Sequence, residues 1–78
     1  MIGMSPRDIV AAQEEYELLR PTIEKKYPNQ FIAIDPISKE YFIDPVSAGA
    51  LKKAHDKHPG RDFYVMRIGE PTAFSFSG

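Results

Sequence analysis

The sequence predicts a small α+β domain in the order helix-strand-strand-helix-strand-strand. Three observations predict it. An apolar stripe with spacings of three and four residues runs from Ile9 to Tyr27. Two short β-rich runs, Phe31–Asp35 and Glu40–Ile43, flank the turn-forming Pro36-Ile37-Ser38-Lys39. Two further runs, Asp62–Ile68 and Thr72–Ser77, are split by Gly69-Glu70-Pro71.

The first helix is expected over about residues 6–27. Ser5 can accept from a free backbone N–H, Pro6 suits the first helical position, and Asp8 meets the positive end of the helix dipole. Ile9, Ala12, Tyr16, Leu19, Ile23 and Tyr27 form the buried stripe. Pro21 cannot donate to Glu17, so a kink, or two short helices meeting near Arg20, is expected. Pro28-Asn29 stops the helix.

A hairpin over about 31–43 follows. Phe31, Ile32, Ile34, Tyr41, Phe42 and Ile43 are all apolar, which suits a central strand covered on both sides. The phrase Ile-Asp-Pro occurs twice here. Asp35-Pro36 has the residue types that open a type I turn. Asp44-Pro45 has those of a helix N-cap and first helical position. A second helix is therefore expected over about 45–58, with Val46, Ala50, Leu51 and Ala54 on its apolar face and Pro59-Gly60 at its end.

Strands over about 62–68 and 72–77 complete the chain. The second and third strands, joined through a helix, should run parallel with a right-handed crossover. The first strand slots between them. The expected sheet is mainly antiparallel and four-stranded, in order 2-1-3-4 along the chain numbering, with the helices on one face.

Composition bounds the function. The chain has 78 residues, a formal net charge of −1, 42% hydrophobic and 27% charged residues, and no cysteine. One small domain follows, without disulfides or cysteine zinc sites, and a reducing cytoplasm is its expected setting. The N-terminus lacks the basic head and apolar core of a signal peptide, and no apolar run approaches the length of a membrane span. Residues 1–40 carry −2 and residues 41–78 carry +1, so neither half is a basic arm or an acidic tail, and nucleic acid and anionic membranes are disfavoured partners.

Four candidate sites stand beside structural explanations. Asp35, Glu40 and Asp44 in the hairpin are close enough in sequence to hold a metal, although their residue types suit turns and caps. The loop is no EF-hand, because Glu40 stands where that loop needs glycine. His55 and His58, with Asp62, have metal-ligand spacing, but the neighbouring lysines disfavour a cation. Lys52, Lys53, Lys57 and Arg61 form the one basic patch that can meet phosphates. The fourth candidate is a partner surface. Tyr64 and Met66 share one face of the third strand, and Phe74 and Phe76 continue the row on a strand expected at the sheet edge. No catalytic residue, cofactor or metal is assigned. Glu24-Lys25-Lys26 has a nuclease-like spacing, but it lies on a helix.

From about Tyr27 to Ile68, FIAID, YFIDP, AGALKKAHDKHPG and DFYVMRIG resemble a family of small uncharacterised bacterial and archaeal α+β proteins. That resemblance implies a helix–hairpin–helix–strand core and a protein partner, since such genes are antitoxin-like or lie beside retropepsin-like proteases. It carries over no catalytic residue. The expected function is a non-catalytic protein-interaction module, self-associating as a homodimer or binding a neighbouring gene product through its edge strand. Nucleic-acid binding through residues 52–61 is the alternative, and a metal-dependent enzyme using the acidic hairpin is the second.

Overall fold

The computed structural model describes residues 5–69 and the backbone of residues 73–76. The architecture is α+β, in the order α1 (Pro6–Lys26), β1 (Phe31–Ile34), β2 (Tyr41–Asp44), α2 (Ser47–Lys57), β3 (Phe63–Arg67) and β4 (Ala73–Phe76).

α1 starts as its residue types dictate. The Ser5 hydroxyl accepts from the Asp8 N–H at 3.2 Å, with Pro6 at the first helical position. The helix then runs without division through Pro21 to Lys26, so the expected alternative of two short helices is corrected. Packing accounts for the continuity. Residues on both sides of Pro21, Tyr16 and Ile23, are anchored in one core, and that burial outweighs the single missing hydrogen bond.

β1 is the centre of the antiparallel sheet. It pairs with β2 from Phe31 opposite Asp44 to Ile34 opposite Tyr41. On its other side it pairs with β3 from Phe31 opposite Arg67 to Ile34 opposite Tyr64. The Ile68 N–H donates to the Gln30 carbonyl at 2.7 Å and extends that ladder by one step. β4 lies antiparallel beside β3, with Phe74 opposite Val65 and Phe76 opposite Phe63.

The two helices lie on opposite faces of this sheet, and the expectation of both on one face is corrected. α1 supplies Ala12, Tyr16 and Ile23 to a core with Ile32, Ile34, Tyr64, Met66 and Ile68. α2 supplies Ala50 and Ala54 to a second core with Ala33, Phe63 and Val65, edged by Phe31, Phe42 and Leu51. The physical reason lies in β1 and β3. Side chains alternate between faces along a strand, and both strands are apolar on both faces. One helical layer would leave Phe63 and Val65, or Ile32 and Ile34, in water. Burying each such side chain is worth about 1.5–3 kcal/mol, which decides for a layer on each side.

α2 begins later than its sequence suggests. Val46, not Asp44, is its N-cap, and it makes no side-chain capping bond. Val46 is also exposed rather than on the buried face. Asp44 acts just upstream, where its Oδ2 accepts from the Val46 N–H at 3.0 Å. The carboxylate packs over Gly49 so closely that a Cβ there would stand 2.1 Å from Oδ2. Only glycine admits this approach.

Candidate functional site

The charged residues singled out in the sequence meet at the hairpin and the C-terminal half of α2. The β1–β2 turn is wider than a type I turn. The Lys39 N–H donates to the Asp35 carbonyl at 2.8 Å, the Asp35 N–H donates to the Glu40 carbonyl at 2.9 Å, and Lys39 takes φ 69°. This geometry turns the Asp35 side chain inward, where it is 0% exposed.

Buried Asp35 is fully engaged. Its Oδ1 accepts from the Ile37 N–H at 3.0 Å, and its Oδ2 accepts from the Ser38 hydroxyl at 2.9 Å and from Arg61 Nη1. His58 Nε2 stands 3.7 Å from the same Oδ2 and hydrogen-bonds Glu40 Oε1. Burial pushes the Asp35 carboxyl up, but the bonds from Ile37, Ser38 and Arg61, with the guanidinium charge, outweigh it and hold the group below its ordinary value. The hydrogen bond with His58 holds Glu40 low, helped by the Lys57 charge. The Val46 N–H and Lys53 do the same for Asp44.

The acidic hairpin and the basic patch are therefore largely each other's partners. Arg61 pairs with Asp35, Lys57 with Glu40 at 3.9 Å, and Lys53 with Asp44 at 3.2 Å. Lys53 also donates to the Ile43 carbonyl at 2.8 Å. Lys52 pairs with Asp56 one turn along α2 at 3.0 Å. Each of the four patch cations has a carboxylate beside it, which weakens the field a phosphate would feel. The carboxylates do not converge. Asp35 and Glu40 lie at the turn end of the hairpin, while Asp44 lies at the other end of β2 beside Gly49. The histidines diverge too. His55 stacks edge-on against Phe63 with ring centroids 4.9 Å apart, while His58 faces Glu40 and the edge of Phe42. Among the described residues, no group of three His, Asp or Glu side chains is placed to hold a metal.

Ser38 is held within the turn. Its hydroxyl donates to Asp35 and accepts from the Glu40 N–H at 3.2 Å. Every buried side-chain nitrogen and oxygen among the described residues has a hydrogen-bond partner. The cluster acts as a polar clasp. It holds the β1–β2 turn against the end of α2 and the α2–β3 connection.

The expected partner row is corrected: β4 sets Phe74 opposite Val65 and Phe76 opposite Phe63, not in line with Tyr64 and Met66. Tyr64 and Met66 are each 5% exposed, covered by α1, and the Tyr64 hydroxyl accepts from Gln13 Nε2 at 3.2 Å. They are closed to a partner because the opposed helices bury both faces of β3. The backbone of Phe74 and Phe76 lies in β4, and their side chains lie outside the described residues. Sequence reasoning missed the Asp35–Arg61 and Glu40–His58 pairs. The signal available was compositional: three carboxylates in residues 35–44 and four cations in residues 52–61.

Comparison with protein-family models, curated proteins and solved structures finds no match for this chain. Among the described residues, no helix is long and apolar enough to cross a membrane.

Proposed function

We propose that the protein is a small non-catalytic interaction module, antitoxin-like or an accessory to a neighbouring gene product, that binds a protein or its own copy along the outer edge of β4. The observation that carries this reading is the placement of β4 at the end of the strand order β2-β1-β3-β4. A terminal strand keeps one row of backbone N–H and C=O groups that its own sheet does not satisfy. Residues Pro71 to Gly78 contain no charged side chain, so the charges that commonly guard an edge are missing. An added strand would satisfy the open row by backbone hydrogen bonding.

The clasp supports the non-catalytic half of the reading. Its carboxylates are committed to cations and its serine to a carboxylate. The same pairing weighs against nucleic-acid binding through Lys52, Lys53, Lys57 and Arg61.

The test compares the wild-type chain with the Phe74→Lys/Phe76→Lys variant by light scattering and by affinity capture from the native host. The reading holds where wild type forms a complex, with itself or another protein, that the variant loses while keeping its far-UV circular dichroism. It fails where wild type stays monomeric at high concentration and captures nothing that the variant does not.

A further inference from the structure

We infer that β4 pairs antiparallel with β4 of a second copy about a two-fold axis through Ser75. This rests on the edge reading above and adds the partner and the register. Among the described residues the strand order ends in β2 and in β4, and the two ends differ in charge. Centred self-pairing of β2, with Tyr41 opposite the partner's Ile43, sets Glu40 opposite the partner's Asp44. Like charges directly opposite one another are unfavourable. β4 has no charged residue to oppose. Joining β2 of one copy to β4 of the next leaves an open edge at each end and grows a filament, whereas β4 on β4 closes.

The register follows from the two-residue period of a strand. A two-fold axis normal to the sheet keeps each face on its own side, and opposed residues share a face. Opposed residues of identical strands must then be separated by an even number of positions. The axis passes through a residue, never between two. Within Ala73–Phe76 the interior choices are Phe74 and Ser75. An axis at Phe74 carries Phe76 beyond the start of the partner's β4. An axis at Ser75 sets Phe74 opposite the partner's Phe76, and Phe76 opposite the partner's Phe74. Aromatic cross-strand pairs of this kind stabilise an antiparallel ladder. At the axis, serine opposes serine.

The chain contains no cysteine, so Ser75→Cys in the full chain reports on the axis alone. Residues opposed in an antiparallel pair have Cα atoms about 4.5–5.5 Å apart, inside the range a disulfide spans. Leu18→Cys is the control, since Leu18 lies on α1 at 78% exposure and is no part of β4. Under mild oxidation Ser75→Cys is expected to form the covalent dimer at least about tenfold faster than Leu18→Cys, because the dimer holds its thiols together. Light scattering of the cysteine-free wild type should reach twice the mass of one chain as concentration rises. Equal cross-linking of the two variants, or a wild type that never exceeds one chain, overturns the two-fold pairing. If the pairing fails but wild type captures a different protein that Phe74→Lys/Phe76→Lys loses, the edge reading stands without it. If that capture is also missing, both fall.

Discussion

Removal of the Asp35 carboxylate should destabilise this domain more than removal of either other hairpin carboxylate, Glu40 or Asp44. Asp35→Ala deletes the acceptor for the Ile37 N–H, the Ser38 hydroxyl and Arg61 at once. The first two losses are small, because Ile37 and Ser38 are exposed and their donors can turn to water. Arg61 dominates. Breaking a buried ion pair costs about 3–5 kcal/mol when the survivor stays buried. Arg61 keeps 36% of its side chain exposed, so water partly restores its solvation. The lower end, about 3 kcal/mol, is therefore expected, in keeping with the ~1.5–3 kcal/mol of hydrogen bonds to charged groups. A domain of this length holds only about 4–12 kcal/mol in total, so the loss is a large share of it. The melting temperature should fall by about 12–24 °C. Urea unfolding followed by circular dichroism at pH 7 measures the difference directly. A midpoint for Asp35→Ala equivalent to less than about 0.5 kcal/mol from wild type would show that the clasp is not a stabilising element and refute the reasoning. Asp44→Ala, at a partly exposed site, should cost less than Asp35→Ala.

Two further outcomes follow from the same geometry. Asp35, Glu40 and Asp44 all sit below their ordinary values in the folded protein. Their stabilisation is therefore fully present above the unfolded carboxyl values near pH ~4 and is lost as pH falls through the lower folded values. Urea midpoints measured between neutral and acid pH should drop in this window, and the drop should be shallower in Asp35→Asn. Gly49→Ala should fail to give the gain of about 1 kcal/mol expected for replacing glycine inside a helix, because its Cβ displaces the Asp44 carboxylate, but it should recover that gain in an Asp44→Ala background. A double-mutant cycle by thermal melts reads the coupling, and simple additivity would show that Asp44 moves aside freely.

The extent of α1, the position of the strands and the overall α+β class were legible because each depends on neighbours in the chain. Ser5, Pro6 and Asp8 act within one turn, and the stripe from Ile9 to Tyr27 follows from helical spacing alone. The Ile-Asp-Pro repeat was read as local turn chemistry, and locally that holds: Asp35 accepts from Ile37 and Asp44 from Val46. Both have a cation partner, and burial distinguishes them: Asp35 is fully buried and Asp44 partly exposed, which packing decides and not the local sequence.

What the sequence determined by itself was the order of the elements and their apolar faces, because hydrogen bonding within helices and the periodicities of 3.6 and 2 act over a few residues. The tertiary structure decided which face each helix covers, since β1 and β3 offered two apolar faces and only packing could fill both. It also decided the fate of the charges. Arg61 lies 26 positions from Asp35, and His58 lies 18 from Glu40. In the linear chain those residues read as a basic patch and an acidic hairpin, two separate candidate sites. Return of the chain through α2 places one against the other, and Coulomb attraction at contact distance joins them into a single clasp.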